Sequence, residues 1–265
     1  SPPALFRSED DGDTWEGVKG INEHPKYGPP LEDQQGPPDG STLHSIMVDP
    51  RDPNHMYIGL SSNASGVFET TDKGASWKPL NKGVNCLETY GLEPEAEVGQ
   101  EPHCLRIHPL DPDRLYQQSH CGAYRMDRAE GVWVRMGENL PKENNISDYS
   151  FPVVLHPRDP ETVWLLPLDG GFPLGRVTPN GKPATYITRD GGKTWKRQDR
   201  GFPKKDAWLS LKRQAMTADT RDPVGVYFGT TGGEVWASSN EGRSWSQIAN
   251  SLPEIYSVEV AELAP

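Results

Sequence analysis

Apolar residues fall in short runs along this chain, mostly four to six residues long, and the runs alternate with turn-forming clusters. "HSIMV", "MYIGL", "GVFETT" and "SWKPL" follow one another between Leu43 and Leu80, and similar quartets recur further on. Each run is too short for a helix and is rich in the β-branched and aromatic residues that suit a pleated surface. The separators carry Asp-Pro, Asp-x-Gly or Gly-Gly, the residue types that tight turns require. Apolar positions spaced for an amphipathic helix are absent, so the pattern predicts an all-β chain.

The turns themselves repeat. "RSEDDGDTW" (Arg7–Trp15), "TTDKGASW" (Thr70–Trp77), "TRDGGKTW" (Thr188–Trp195) and "SSNEGRSW" (Ser238–Trp245) align on Asp or Asn, Gly two residues later and Trp five residues later. The aligned triplets are Asp10-Gly12-Trp15, Asp72-Gly74-Trp77, Asp190-Gly192-Trp195 and Asn240-Gly242-Trp245, and Arg125–Trp133 is a degenerate fifth copy. Between them runs a second motif, Asp-Pro followed four residues later by Tyr57, Tyr116, Trp164 or Tyr227. The unit is therefore strand A, an Asp-Pro turn, strand B, a loop, strand C, the Asp turn and strand D. Four antiparallel strands recurring every 50–62 residues predict a β-propeller.

Complete A–D units are expected at 43–83, 103–141, 150–201 and 211–252. Residues 1–20 supply only C and D strands, and 254–263 only an A strand. The expectation is one propeller domain over 1–265, incomplete at its N-terminal side. The missing blades would come from an N-terminal segment or from another chain, since open sheet edges are a liability.

The Ser/Thr-x-Asp-x-Gly-x-Ser/Thr-Trp pattern resembles the Asp-box, or bacterial neuraminidase repeat, of sialidases, sortilin-type receptors and photosystem assembly factors. "RLYQQSHCGAYRMDR" and "LPEIYSVEVAEL" further resemble bacterial sialidase-like and glycosyl-hydrolase-like repeat proteins, which implies a seven-bladed full-length form. The repeated Asp is read as scaffold rather than catalyst. It recurs at every C–D turn, and Asn240 substitutes for it.

Long loops are all expected on the face opposite the Asp turns: 17–42, 83–102, 167–183 and 201–211. Aligning the A strands on Asp49, His108, His156 and Asp219 sets His44, His103, Phe151, Gln214 and Tyr256 around one channel mouth, with Arg213 and Glu259 nearby. Two readings of His44 and His103, with His120 as a third ligand, stay open: a divalent metal site, or histidines bonded to backbone. Cys104 and Cys121 are read as two buried free thiols, the alternatives being a cross-strand disulfide or a Cys/His site.

The preferred function is a binding or scaffold module that takes a protein, peptide or glycan on the looped face. The alternative, implied by the resemblance, is a glycoside hydrolase of sialidase-like type using Tyr256, Arg213 and Glu259. No cofactor is required by either, beyond the open metal question. The net charge of −11 has no compensating basic tract beyond Lys204-Lys205 and Lys212-Arg213, which argues against nucleic acid. No apolar run reaches the length of a membrane span. A cytoplasmic location is favoured, with a secreted or periplasmic one left open.

Overall fold

The computed structural model describes residues 4–28, 42–61, 64–141, 146–170 and 175–261. Parts of the expected loops (29–41 and 171–174) and the end of the expected strand at 254–263 lie outside these. Four antiparallel four-stranded sheets dominate. The first is β3 (Thr42–Asp49), β4 (Asp52–Ser61), β5 (Gly66–Thr70) and β6 (Lys78–Pro79). The second is β7 (Pro102–His108), β8 (Asp111–Ser119), β9 (Gly122–Asp127) and β10 (Val134–Arg135). The third is β11 (Val154–Leu155), β12 (Val163–Leu165), β13 (Thr185–Thr188) and β14 (Lys196–Gln198). The fourth is β15 (Met216–Ala218), β16 (Val226–Gly229), β17 (Val235–Ser238) and β18 (Ser246–Ala249). Each is a meander in chain order, and a two-stranded pair, β1 (Phe6–Arg7) with β2 (Glu16–Gly17), precedes them. The described residues are thus all-β, built as successive four-stranded blades of the propeller type.

The core is a series of layers between successive sheets, and the two-residue side-chain period of a strand creates it. Ile58 and Phe68 face back toward Leu5, Val18 and Ile21, whereas their neighbours Tyr57 and Val67 face forward onto Leu105, Leu115 and Tyr124. Tyr116 and Ala123 then meet Val163, Leu165 and Tyr186, and Trp164 and Ile187 meet Val226 and Phe228. Both faces of each inner sheet are covered, which explains why the runs are nearly continuous in apolar residues rather than cleanly alternating.

Each Asp turn is closed by the same bonds. In the third sheet, Asp190 accepts from the Thr194 amide (2.8 Å) and hydroxyl (2.6 Å), and the Thr188 hydroxyl bonds both Asp190 (2.8 Å) and the Gly192 amide (2.8 Å). Asp10 and Asp72 repeat the geometry. Asn240 keeps the amide acceptor role at 2.9 Å but donates to the Ser244 hydroxyl instead of accepting from it. One acceptor oxygen for the amide and a second atom that either accepts from or donates to the hydroxyl suffice for the turn, so no negative charge is needed. Gly192 has φ +90°, and a Cβ there would lie 2.2 Å from the Met136 Cβ, so both backbone sign and space require glycine.

The repeated Trp of each blade packs back against the preceding sheet. Trp133 joins the layer under Tyr57, Trp195 the layer under Tyr116 and Trp245 the layer under Trp164. Trp15 belongs to the two-stranded pair, has no preceding sheet among the described residues, and is 62% exposed.

Candidate functional site

The A strands β3, β7, β11 and β15 face a common cavity of about 540 Å³. Ile46, Ile107, Val154 and Met216 supply apolar wall, and His44, Arg106, Gln214 and Glu259 supply polar groups. Arg106 donates to Gln214 Oε1 (2.7 Å), and Gln214 donates from Nε2 to the His44 carbonyl (3.1 Å). Three blades are therefore tied across the cavity by one chain of bonds. Among the described lining residues Glu259 is the one carboxylate.

Segment 254–261 runs beside β15, with Ser257 paired in parallel to Gln214 and the Val258 amide bonded to the Gln214 carbonyl (3.0 Å). Side chains alternate along such an extended segment, so Glu259 faces the cavity and Tyr256 does not. Tyr256 is 64% exposed, donates to Glu254 (2.9 Å) and lies under the Lys212 ammonium. The structure therefore separates Tyr256 from His44 and Gln214, with which the strand alignment had grouped it.

A second cluster lies at the mouth, on the looped face. Glu101, His103 and His120 bring ligand-type atoms within 4.8 Å of one another. Glu101 ends the loop before β7, His103 is the second residue of β7, and His120 follows β8. The His120 amide bonds the Glu101 carbonyl (3.0 Å), which fixes the turn against the loop. His103 is 1% exposed. Its Nδ1 donates to the Ser150 carbonyl at 2.7 Å. Tyr149 and Phe151 pack on the His103 ring at 5.5 and 4.8 Å. Arg213 and Arg176 hold their guanidinium groups over Phe151 at 5.0 and 5.8 Å. His44, which the sequence reading placed with His103 and His120, is replaced in this triad by Glu101. His44 sits one blade away, where it lines the channel cavity.

Burial pushes all three histidines below the ordinary range, and the Arg213 charge adds to it: His44 falls to about 3, His103 falls well below 6.5, and His120 also falls. Burial likewise lowers Arg213, with Glu101 opposing. A histidine held neutral in the fold binds fewer protons than in the unfolded chain. Its contribution to stability is intact above about pH 6.5 and is lost as pH falls toward the folded value near 3. For one such group the loss between pH 7 and 5 is about 2 kcal/mol. Urea unfolding at the two pH values should show it, and His44→Gln should flatten the dependence. A stability unchanged between pH 7 and 5 would contradict this picture of the mouth.

The expectation of two free thiols at Cys104 and Cys121 is corrected. Cys121 is bonded to Cys86, with Cα atoms 5.2 Å apart, and Cys104 is a buried free cysteine. Cys104 lies in β7 opposite Gln118, whereas Cys121 lies past the end of β8, where the loop carrying Cys86 crosses it. Among the described residues no helix is long and apolar enough to cross a membrane.

Residues 186–197 match the BNR/Asp-box repeat family. The chain is similar to an oligoxyloglucan-reducing end-specific xyloglucanase of Emericella nidulans, with 24% identity over 72% of this chain and 24% of the relative. The chain thus spans about a quarter of that relative's length. Among solved structures, the GH74 enzyme of Niastella koreensis superposes with TM-score 0.59 and 15% identity over 92% of this chain and 34% of that one. YCF48 bound to D1 peptide superposes with TM-score 0.52 and 14% identity over 93% of this chain and 61% of that one. These structural likenesses establish the propeller fold.

Proposed function

We propose that this chain is part of a glycan-acting propeller of the xyloglucanase type, and that its channel cavity holds a stretch of sugar chain. The observation that carries this reading is the cavity itself. Apolar wall from four blades can meet the C–H faces of pyranose rings, and Arg106, Gln214 and Glu259 can bond their hydroxyls. The similarity to a xyloglucanase over most of the chain supports the hydrolase class above the binding-module reading. Glycoside hydrolysis needs two carboxyl groups flanking the bond, about 5–9.5 Å apart. In this reading Glu259 supplies one of the two.

Release of new reducing ends from xyloglucan oligosaccharides tests the reading. Wild type should cleave and Glu259→Gln should lose activity by at least about 100-fold, the range of a positioned acid–base group. An unaltered rate in Glu259→Gln would contradict the assignment, and absence of cleavage by wild type would favour the second reading. That reading is peptide recognition on the looped face. It is supported by Glu259 being the one carboxylate among the described lining residues and by the likeness over nearly the whole chain to YCF48, a propeller solved with a peptide bound. The buried Cys86–Cys121 bond supports an oxidising, extracytoplasmic setting for either reading over the cytoplasmic one.

A further inference from the structure

We propose that Glu101, His103 and His120 form a divalent transition-metal site of the zinc type, distinct from the channel cavity and independent of the glycan reading. Two imidazoles and one carboxylate are a donor set that zinc takes with a fourth position left open. The ligand atoms already lie within 4.8 Å of one another, close enough for one ion to stand between them after small side-chain adjustments of Glu101 and His120.

Orientation supports the assignment more than proximity does. The His103 Nδ1 carries its proton toward the Ser150 carbonyl (2.7 Å), which leaves the Nε2 lone pair as the ligand atom. A backbone carbonyl holding the far ring nitrogen is the usual support of a metal-bound histidine. That carbonyl is itself fixed, because Ser150 Oγ bonds the Leu166 carbonyl (2.7 Å) and the Leu168 amide bonds the Tyr149 carbonyl (2.8 Å).

Tyr149 supplies an independent sign. Its side chain is buried, with 4% of the residue exposed, and its ring stands 5.0 Å from His120 and 5.5 Å from His103. Among the described residues its hydroxyl has no hydrogen-bond partner. A buried hydroxyl without a partner is costly, and a water or anion in the open fourth position of a metal gives it one. Arg213 and Arg176 face the same space and oppose a bare cation. Glu101 offsets one of these charges, so the open position favours hydroxide or a carboxylate as fourth ligand.

Titration of metal-free protein with Co²⁺ at pH 7.5, read by visible absorption and by calorimetry, tests the site. One ion per chain is expected, with the intense bands of four-coordinate cobalt, and Zn²⁺ should displace it. Glu101→Gln and His103→Gln should each weaken binding by more than about tenfold, while His44→Gln leaves it unchanged. Tyr149→Phe should keep the stoichiometry and move the absorption bands; circular dichroism establishes that each variant is folded. Absence of stoichiometric Co²⁺ or Zn²⁺ binding by wild type would overturn the proposal. So would equal affinity in folded Glu101→Gln, or stabilisation by acetate with none by metal, which would mark an anion site built on the arginines.

Discussion

Replacing both Cys86 and Cys121 by alanine should lower the unfolding free energy by roughly 3–4 kcal/mol, the chain-entropy value for a loop of this size. The bond joins residues 35 apart in sequence and ties the long connection between β6 and β7 to the turn between β8 and β9. Both cysteines are buried, at 1% and 4% exposure, in the layer that holds Leu105, Tyr124 and Trp133. The bond therefore sits in packed core, and two methyl groups refill only part of its volume. His120 adjoins Cys121, so the loss should also reach the mouth, and metal affinity in the double variant should fall alongside stability. Urea unfolding of oxidised wild type against the double variant measures it. A difference below about 1 kcal/mol would show that the loop is held by its packing alone.

Asp148→Ala should cost roughly 3 kcal/mol, the lower part of the range for breaking a buried ion pair. Asp148 is 6% exposed and accepts two bonds from Arg135, at 2.9 and 2.7 Å, and one from the Ala123 amide at 3.1 Å. Its removal strands a guanidinium whose side chain is only 30% exposed, and takes away the carboxylate to which the Ala123 amide donates. The pair fits only because Gly122 lacks a side chain: a Cβ there would stand 2.4 Å from Asp148 Oδ2, on a backbone with φ +128°. The same anchor positions Tyr149, Ser150 and Phe151, the residues that surround His103. Arg135→Met in the Asp148→Ala background should recover part of the loss, because the stranded charge goes with it. Equal stability of the two variants would mean that solvent, rather than Asp148, satisfies Arg135.

The propeller was legible because its device is local and repeated. An Asp turn, a Trp five residues on and an Asp-Pro turn recur with their apolar runs in register, and each closes with bonds inside nine residues. The mouth was less legible because it is assembled from non-repeating loops. Counting back along strand A reaches His103 but stops short of Glu101, which stands before the strand on left-handed backbone at φ 37° and comes near His103 and His120 only in the folded chain. Tyr256 was misplaced by the same counting, since a one-residue difference in register moves a side chain to the opposite face. Cys86 stands in "NCLETYGL" with no spacing that marks a partner, and only the path of the loop brings it to Cys121.

The central functional proposal is that the A-strand cavity receives a neutral glucan chain. Amide and side-chain NMR shifts of this chain, titrated with a xyloglucan oligosaccharide, test it most directly. The proposal predicts saturable shifts at Arg106, Gln214 and Met216, lost in Arg106→Ala with the fold intact. Shifts confined to the looped face, or none at saturating sugar, would contradict it.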